Sequence, residues 1–273
     1  MRSIAILNQK GGVGKTTTAV NLSAALAEAG QRVCLIDLDP QAHASLHLGV
    51  VMDDEEPSVY DVLTRDCSIA EVRQQVADNL WVIPAHLNLA AAEMELANEV
   101  GREVILRDKL AEDGAEYDFV ILDCPPSLGV LTLNALTTVQ EVFLPLQPHF
   151  LALHGLSKLL RTIEIVAKRL NPTLRLTGVL FCMYDSGTRL AAEVSSDVYE
   201  FFAQRSTSDT VWADVKNFKT NIRRNIRLAE APSFGQSIFQ YSAQSNGAED
   251  YRKLAQEVLG VAAEELEPLA RAA

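Results

Sequence analysis

Residues 9–18 read QKGGVGKTTT, and these residue types at this spacing make a loop that holds phosphate. Gly14-Lys15-Thr16 is the Gly-Lys-Thr end of a Walker A loop. Gly11, Gly12 and Gly14 carry no Cβ, so the backbone N–H groups around Val13 can turn inward onto phosphate oxygens. Lys15 is placed to neutralise the β- and γ-phosphates, and the Thr16 hydroxyl to bind Mg²⁺. The common pattern has glycine where this chain has Gln9, and a second lysine, Lys10, follows. From the residues alone, Lys10 reads equally well as an exposed loop lysine or as a group that completes a nucleotide site across a dimer interface.

Two further segments carry carboxylates that suit the same site. Residues 32–40 read RVCLIDLDP, an apolar strand with Asp37 and Asp39 at its end, the side on which α/β sheets bind ligands. Asp39 can orient a water toward a γ-phosphate. Asp37 reads as a Mg²⁺-shell or structural residue. Residues 117–126 read YDFVILDCPP, a Walker B strand whose Asp123 would hold Mg²⁺, through water. Cys124 lacks an activating base in the sequence pattern and reads as a packing residue. No N-K-x-D guanine motif is present, which favours ATP over GTP.

These residues need a scaffold of strands that end at one edge. Apolar runs at 3–8, 32–37, 80–84, 118–123, 141–147, 176–182 and 237–240 read as strands, most of them continuous enough to be buried on both faces. Helical patterns at 16–29, 155–170, 190–204 and 248–259 lie between them. The alternation predicts an α/β fold of the P-loop NTPase type: a doubly wound, mostly parallel twisted sheet with helices on both faces. One domain is expected over residues 1–260, followed by a short acidic, Ala-rich tail at 261–273.

Composition narrows the function classes. The chain has 273 residues, 48% of them hydrophobic, with no apolar run long enough to span a bilayer. The phosphate loop follows the first apolar run at once, so a signal peptide and an N-terminal helix-turn-helix domain are not expected. Cys34, Cys67, Cys124 and Cys182 show no C-x-x-C spacing and read as reduced residues of a cytosolic protein. The five histidines have no ligand spacing for a structural metal. Net charge is −12, divided as −13 over residues 1–150 and +1 over 151–273. Lys216, Lys219, Arg223, Arg224 and Arg227 form a stripe without an acidic residue, a candidate contact for the phosphate backbone of DNA. Asp53, Asp54, Glu55 and Glu56 make an acidic surface stretch, and Glu264, Glu265 and Glu267 argue against a basic membrane-binding tail.

Taken together, QKGGVGKTTT, DLDPQ, LDCPPSLGVLTLNAL and RLAEAPSFG resemble the ParA/Soj-type partition ATPases of the MinD/ParA group, over nearly the whole chain. The resemblance implies an ATP-dependent sandwich homodimer with a deviant Walker A loop. It makes Lys10 the signature lysine that reaches the partner subunit's nucleotide, with Lys15 the phosphate-loop lysine and Thr17 a further phosphate contact. Asp39 becomes the aspartate required for hydrolysis, and Thr16, Asp39 and Asp123 the Mg²⁺ shell, partly through water. Residues 224–232, with Arg224 and Pro232, resemble the stretch near the adenine and the DNA-binding face. The resemblance further implies non-specific DNA binding by the ATP dimer, hydrolysis triggered by a ParB-like partner, and a nucleoid-associated, cytoplasmic protein without membrane binding. A nucleotide-gated protein-interaction switch that does not bind DNA is the alternative. The chain departs from the family pattern at Ala42-His43, where Gly-Asn is common, and at Arg223, where proline is usual. Gly187 and Asn246 stand where basic residues are frequent, and residues 206–220 fit the pattern poorly.

Overall fold

The computed structural model describes residues 1–53, 55–149, 155–205, 210–213 and 215–260. Asp54 of the acidic stretch and the expected tail at 261–273 lie outside the described residues. The strands are β1 (Arg2–Ile6), β2 (Val33–Asp37), β3 (Gln74–Ala77), β4 (Leu80–Ile83), β5 (Phe119–Asp123), β6 (Glu141–Leu146), β7 (Arg175–Tyr184), β8 (Lys216–Asn217) and β9 (Ile222–Arg223). Their order across the sheet is β3-β4-β2-β5-β1-β6-β7-β8, with β9 also paired to β7. Every pairing is parallel except that of β3 with β4.

Strands β2 and β5 are buried at every position, because helices cover both sides of the sheet. Alternation along β1 divides the core: Ile4 and Ile6 pack into one cluster, Ala5 and Leu7 into the other. On the first side lie α1 (Lys15–Glu28), α2 (His43–His47), α10 (Ile226–Glu230), α11 (Ile238–Ser242) and α12 (Asn246–Leu259). On the second lie α3 (Val59–Thr64), α4 (Ile69–Val72), α5 (Leu89–Glu95), α6 (Ile105–Glu112), α7 (Val130–Thr138), α8 (Leu156–Arg169) and α9 (Arg189–Arg205). In α8 the buried positions Leu156, Leu159, Leu160, Ile163, Val166 and Ala167 follow the helical period that lays one face on the sheet. Among the described residues no helix is long and apolar enough to cross a membrane.

The expected doubly wound sheet is present, with one correction. Residues 237–240 are not a strand but the start of α11. Ser237 accepts from the Gln240 backbone N–H, and Gln240 Oε1 accepts from the Ser237 N–H at 3.0 Å. This reciprocal capping box satisfies two donors that the β conformation of the adjacent Ile238 and Phe239 would leave to a sheet partner.

Candidate functional site

The register of the central strands assembles the site. Asp37 at the end of β2 lies opposite Asp123 at the end of β5, and Asp123 opposite Ile6 at the end of β1. The loop that leaves β1 therefore passes over two strand-end carboxylates. Asn8 fixes its first turn, donating from Nδ2 to the Pro145 carbonyl at 2.7 Å and accepting the Lys10 N–H at 3.0 Å. Gly12 and Gly14 then take φ of +72° and +94°, a region that side chains resist. A Cβ on Gly14 would lie 3.3 Å from Cys182 at the end of β7, whereas Gly11 and Gly12 face open space. The loop is a shaped backbone cradle followed by the N-terminus of α1, whose unpaired N–H groups and dipole attract anions.

The charged groups fit a Mg²⁺-nucleotide. Lys15 is buried and bends back over the loop, its Nζ donating to the Lys10 carbonyl at 3.2 Å. Burial lowers its pKa, and the charges of Asp123 and Asp39 oppose that effect. The Thr16 hydroxyl donates to Asp123 Oδ2 at 2.7 Å. Asp123 Oδ1 is buried without a hydrogen-bond partner. Burial, followed by the charge of Asp37, pushes the Asp123 pKa well above the usual carboxylate range. A divalent cation or its water beside Oδ1 would supply the missing partner and stabilise the ionised form. Asp37 is structural: it accepts from Ser45 N and Oγ at 2.9 and 2.7 Å and from Asp39 N at 3.2 Å. Burial still raises its pKa to about 6. Asp39 stands half-exposed on the loop that follows, accepting the Gln41 N–H at 3.0 Å. Ala42 holds φ +54°, a left-handed conformation that favours glycine. Cys124 is buried, and burial drives its thiol pKa well up, in keeping with a packing role.

Two clefts flank the loop. The first, of 390 Å³, runs from Gly12, Gly14 and Thr17 to Arg224, Asn225 and Ile226 and is mostly apolar, as a purine base requires. The second, of 410 Å³, lies between Thr16, Thr17, His43, His47 and Pro232. Arg224 and Pro232 thus line different clefts, with Thr17 common to both. The exposed Lys10 lies at the front; its ammonium contacts His149 Nε2.

The basic stripe is more divided than its sequence suggests. Lys216, Lys219, Arg224 and Arg227 are exposed. Arg227 pairs with Glu230 at 2.8 Å. Arg223 is half-buried and bonded to Asp250 and Glu249 at 2.7 and 2.6 Å, so its expected role as a free phosphate contact does not fit this geometry. Arg189 pairs with Glu193. Sequence reasoning missed the contacts of three residues under the loop, Thr18, Tyr251 and Cys182: the Thr18 hydroxyl meets Tyr251 Oη at 3.1 Å and Cys182 Sγ at 3.7 Å. Thr18 and Tyr251 are 233 residues apart, and no local pattern could have paired them.

Comparison with known proteins agrees with this arrangement. A family model described as an AAA domain matches residues 1–176. The chain is 47% identical over 256 residues to the sporulation initiation inhibitor protein Soj of Bacillus subtilis, covering 93% of this chain and 97% of that protein. It is 44% identical over 259 residues to the chromosome partitioning protein ParA of Myxococcus xanthus, covering 94% and 88%. Among solved structures, a cobyrinic acid a,c-diamide synthase from Mycobacterium smegmatis with bound ATP analog and magnesium matches with a TM-score of 0.80. It is 38% identical, with 95% and 94% of the two chains covered.

Proposed function

From the premise that the chain belongs to the ParA/Soj-type partition ATPases of the MinD/ParA group, we propose that it is a nucleotide-operated switch. It segregates or positions DNA or another large cargo. The protein is an ATPase that uses ATP and Mg²⁺. Bound Mg²⁺ supplies charge neutralisation at the phosphates. Gly11, Gly12, Val13 and Gly14 present the backbone cradle, Lys15 neutralises, Thr17 adds a contact, and Thr16 and Asp123 hold the metal side. Asp39 would orient the attacking water and, with Thr16 and Asp123, would hold Mg²⁺. Arg224 lines the base cleft, and Pro232 the cleft on the other side of Thr17.

The ATP-bound form is a homodimer, and one observation carries this reading. Lys15 already bends over its own loop, whereas Lys10 is exposed at the front with its ammonium against His149 Nε2, and exchanging that contact would let it reach a nucleotide held by a second subunit. Ile226 and Leu46, 67% and 44% exposed, line the two clefts on the same loop and supply apolar surface for such a contact. The dimer binds DNA without sequence preference through Lys216, Lys219 and Arg224, with Arg227 as a partly neutralised contributor. A ParB-like partner stimulates hydrolysis and so releases the dimer from the nucleoid. The ion pairs of Arg223 and Arg227 favour a second reading, a protein-interaction switch that positions an assembly without touching DNA.

DNA binding by the Asp39→Ala protein, with ATP and with ADP across a salt series, decides between them. Retention that requires ATP and weakens steeply with salt supports the first reading, since about six contacts per dimer imply a log–log slope near −5. An ATP-dependent dimer that ignores DNA at low salt supports the second. Dimerisation undiminished by Lys10→Ala refutes the role given to Lys10.

A further inference from the structure

The outer wall of the base cleft has little sheet structure to hold it. β9 is two residues long and meets β7 across a register shift, yet Ile222, Arg223, Arg224 and Asn225 line the cleft. What fixes this wall is Asp250 on α12, 3% exposed. Asp250 Oδ2 accepts the Arg223 backbone N–H at 2.9 Å. Arg223 Nε donates to both carboxylate oxygens at 3.0 and 3.1 Å, and Nη2 to Oδ1 at 2.7 Å. Glu249 receives a further bond from Nη2 at 2.6 Å and is itself bonded by Lys253 at 2.7 Å. One buried carboxylate therefore holds both the backbone and the side chain of Arg223. Removing the Arg223 side chain leaves the buried Asp250 carboxylate with only the backbone N–H and no counter-charge, and removing the carboxylate deprives that backbone N–H of its acceptor.

The pair also explains a departure from the family pattern. Proline, usual at this position, has no N–H; arginine brings one that a buried wall must satisfy, and Asp250 accepts it. The next residue, Tyr251, lines the same cleft and bonds Thr18 of α1 at 3.1 Å. Adjacent positions on α12 thus tie the base wall and the helix beneath the phosphate loop to one rigid element.

We infer that Arg223 and Asp250 are positioning residues that fix the wall of the base cleft and so set nucleotide affinity, and that Arg223 belongs to this pair rather than to the DNA-contact set. The inference rests on the reading of this cleft as the nucleotide-base site. The test uses the full chain with Asp250→Asn, Arg223→Ala and the double variant Arg223→Pro/Asp250→Ala. It measures ATP affinity, KM and kcat, and DNA retention at saturating ATP. Each single variant is expected to weaken ATP binding and raise KM about tenfold, with kcat at saturation held within about twofold. DNA retention at saturating ATP should persist. The double variant removes the whole tie but leaves neither an orphan N–H nor an unpaired carboxylate, and should weaken ATP binding no more than either single variant does, far from additive; two full effects that add would overturn the inference.

Unchanged ATP affinity in Asp250→Asn overturns the inference. So does an Arg223→Ala protein that binds ATP normally but loses DNA at saturating ATP. If Asp250→Asn does not fold, Arg223→Lys keeps the N–H and loses the planar fork; an unchanged KM there overturns the inference equally. Lys15→Ala separates this from the site reading. Tight ATP binding by Lys15→Ala sinks the nucleotide site itself, whereas lost binding beside a normal Asp250→Asn sinks only the pair.

Discussion

Acid should destabilise this protein in a specific part through His47. The residue is 2% exposed on α2. Its ring bonds the Gln236 backbone, and Nε2 is buried without a partner. Protonation would put an unpaired N–H and a charge in that position, so burial lowers the pKa from 6.5 to about 4. In the unfolded chain it titrates near 6.5. Between these values the unfolded state binds the proton and the native state does not, so stability is lost as pH falls through that window. From the two pKa values, the loss relative to neutral pH is about half a kcal/mol at pH 6.5 and about 1–2 kcal/mol at pH 5.5. The limit, below pH 4, is about 3 kcal/mol. Asp37 works against this in the same range: its raised pKa makes the native state the better proton binder, so its own penalty is relieved as pH falls through about 6. The His47 part must therefore be isolated by difference. Urea unfolding of the parent and of His47→Gln should be compared at pH 7.5, 6.5 and 5.5, at fixed ionic strength and without nucleotide, whose binding would itself shift stability. The parent should lose about 1–2 kcal/mol more than the variant by pH 5.5. Two curves that stay parallel would refute the neutral, buried imidazole.

Two backbone positions give further expected outcomes. Gly14→Ala forces a side chain into φ +94° with its Cβ 3.3 Å from Cys182, and should cost about 1–3 kcal/mol in chemical unfolding and weaken ATP binding. Adding Cys182→Ala should recover little, because the backbone penalty remains; full recovery would assign the cost to the contact. Ala42→Gly should stabilise the protein by about 0.5–1 kcal/mol, because Ala42 occupies the left-handed region at φ +54°. A loss of stability on the same measurement would mean that Ala42 carries no such strain.

The parts of the fold legible in the sequence are those whose chemistry is local. β2 and β5 could be read from continuous apolar runs that end in Asp37 and Asp123, since burial on both faces leaves no polar alternation. The phosphate loop was legible because glycines, lysine and threonine must be neighbours to cradle one anion. β3, β8 and β9 were not: β3 is a half-exposed edge strand and the other two span two residues each, too little for a period to register. At residues 237–240 the apolar Ile-Phe pair favoured a strand, while the flanking Ser237 and Gln240 carried the opposite signal through side-chain caps. The basic stripe misled in another way. Five cations are equal in a sequence, but Arg223 meets its counter-charge 27 positions away, and only the missing proline marked it as unusual.

That missing proline bears on how nucleotide occupancy reaches the rest of the molecule. Consecutive residues on a helix point about 100° apart, so Asp250 and Tyr251 reach different neighbours from one turn of α12. Asp250 holds the wall of the proposed base cleft, and Tyr251 holds α1 through Thr18. A displacement of the base wall cannot be absorbed by β9, which has two residues of sheet pairing; it must be resisted by Asp250 or passed to α12. α12 in turn is bonded at its far end, where Glu257 accepts the N–H groups of Lys219 and Thr220 at 2.8 and 2.7 Å. The exposed cations of the proposed DNA surface and the wall of the base cleft therefore share a support. A segment with proline in place of Arg223 would lack the backbone bond to Asp250, and with it one of the direct links between that support and the base cleft.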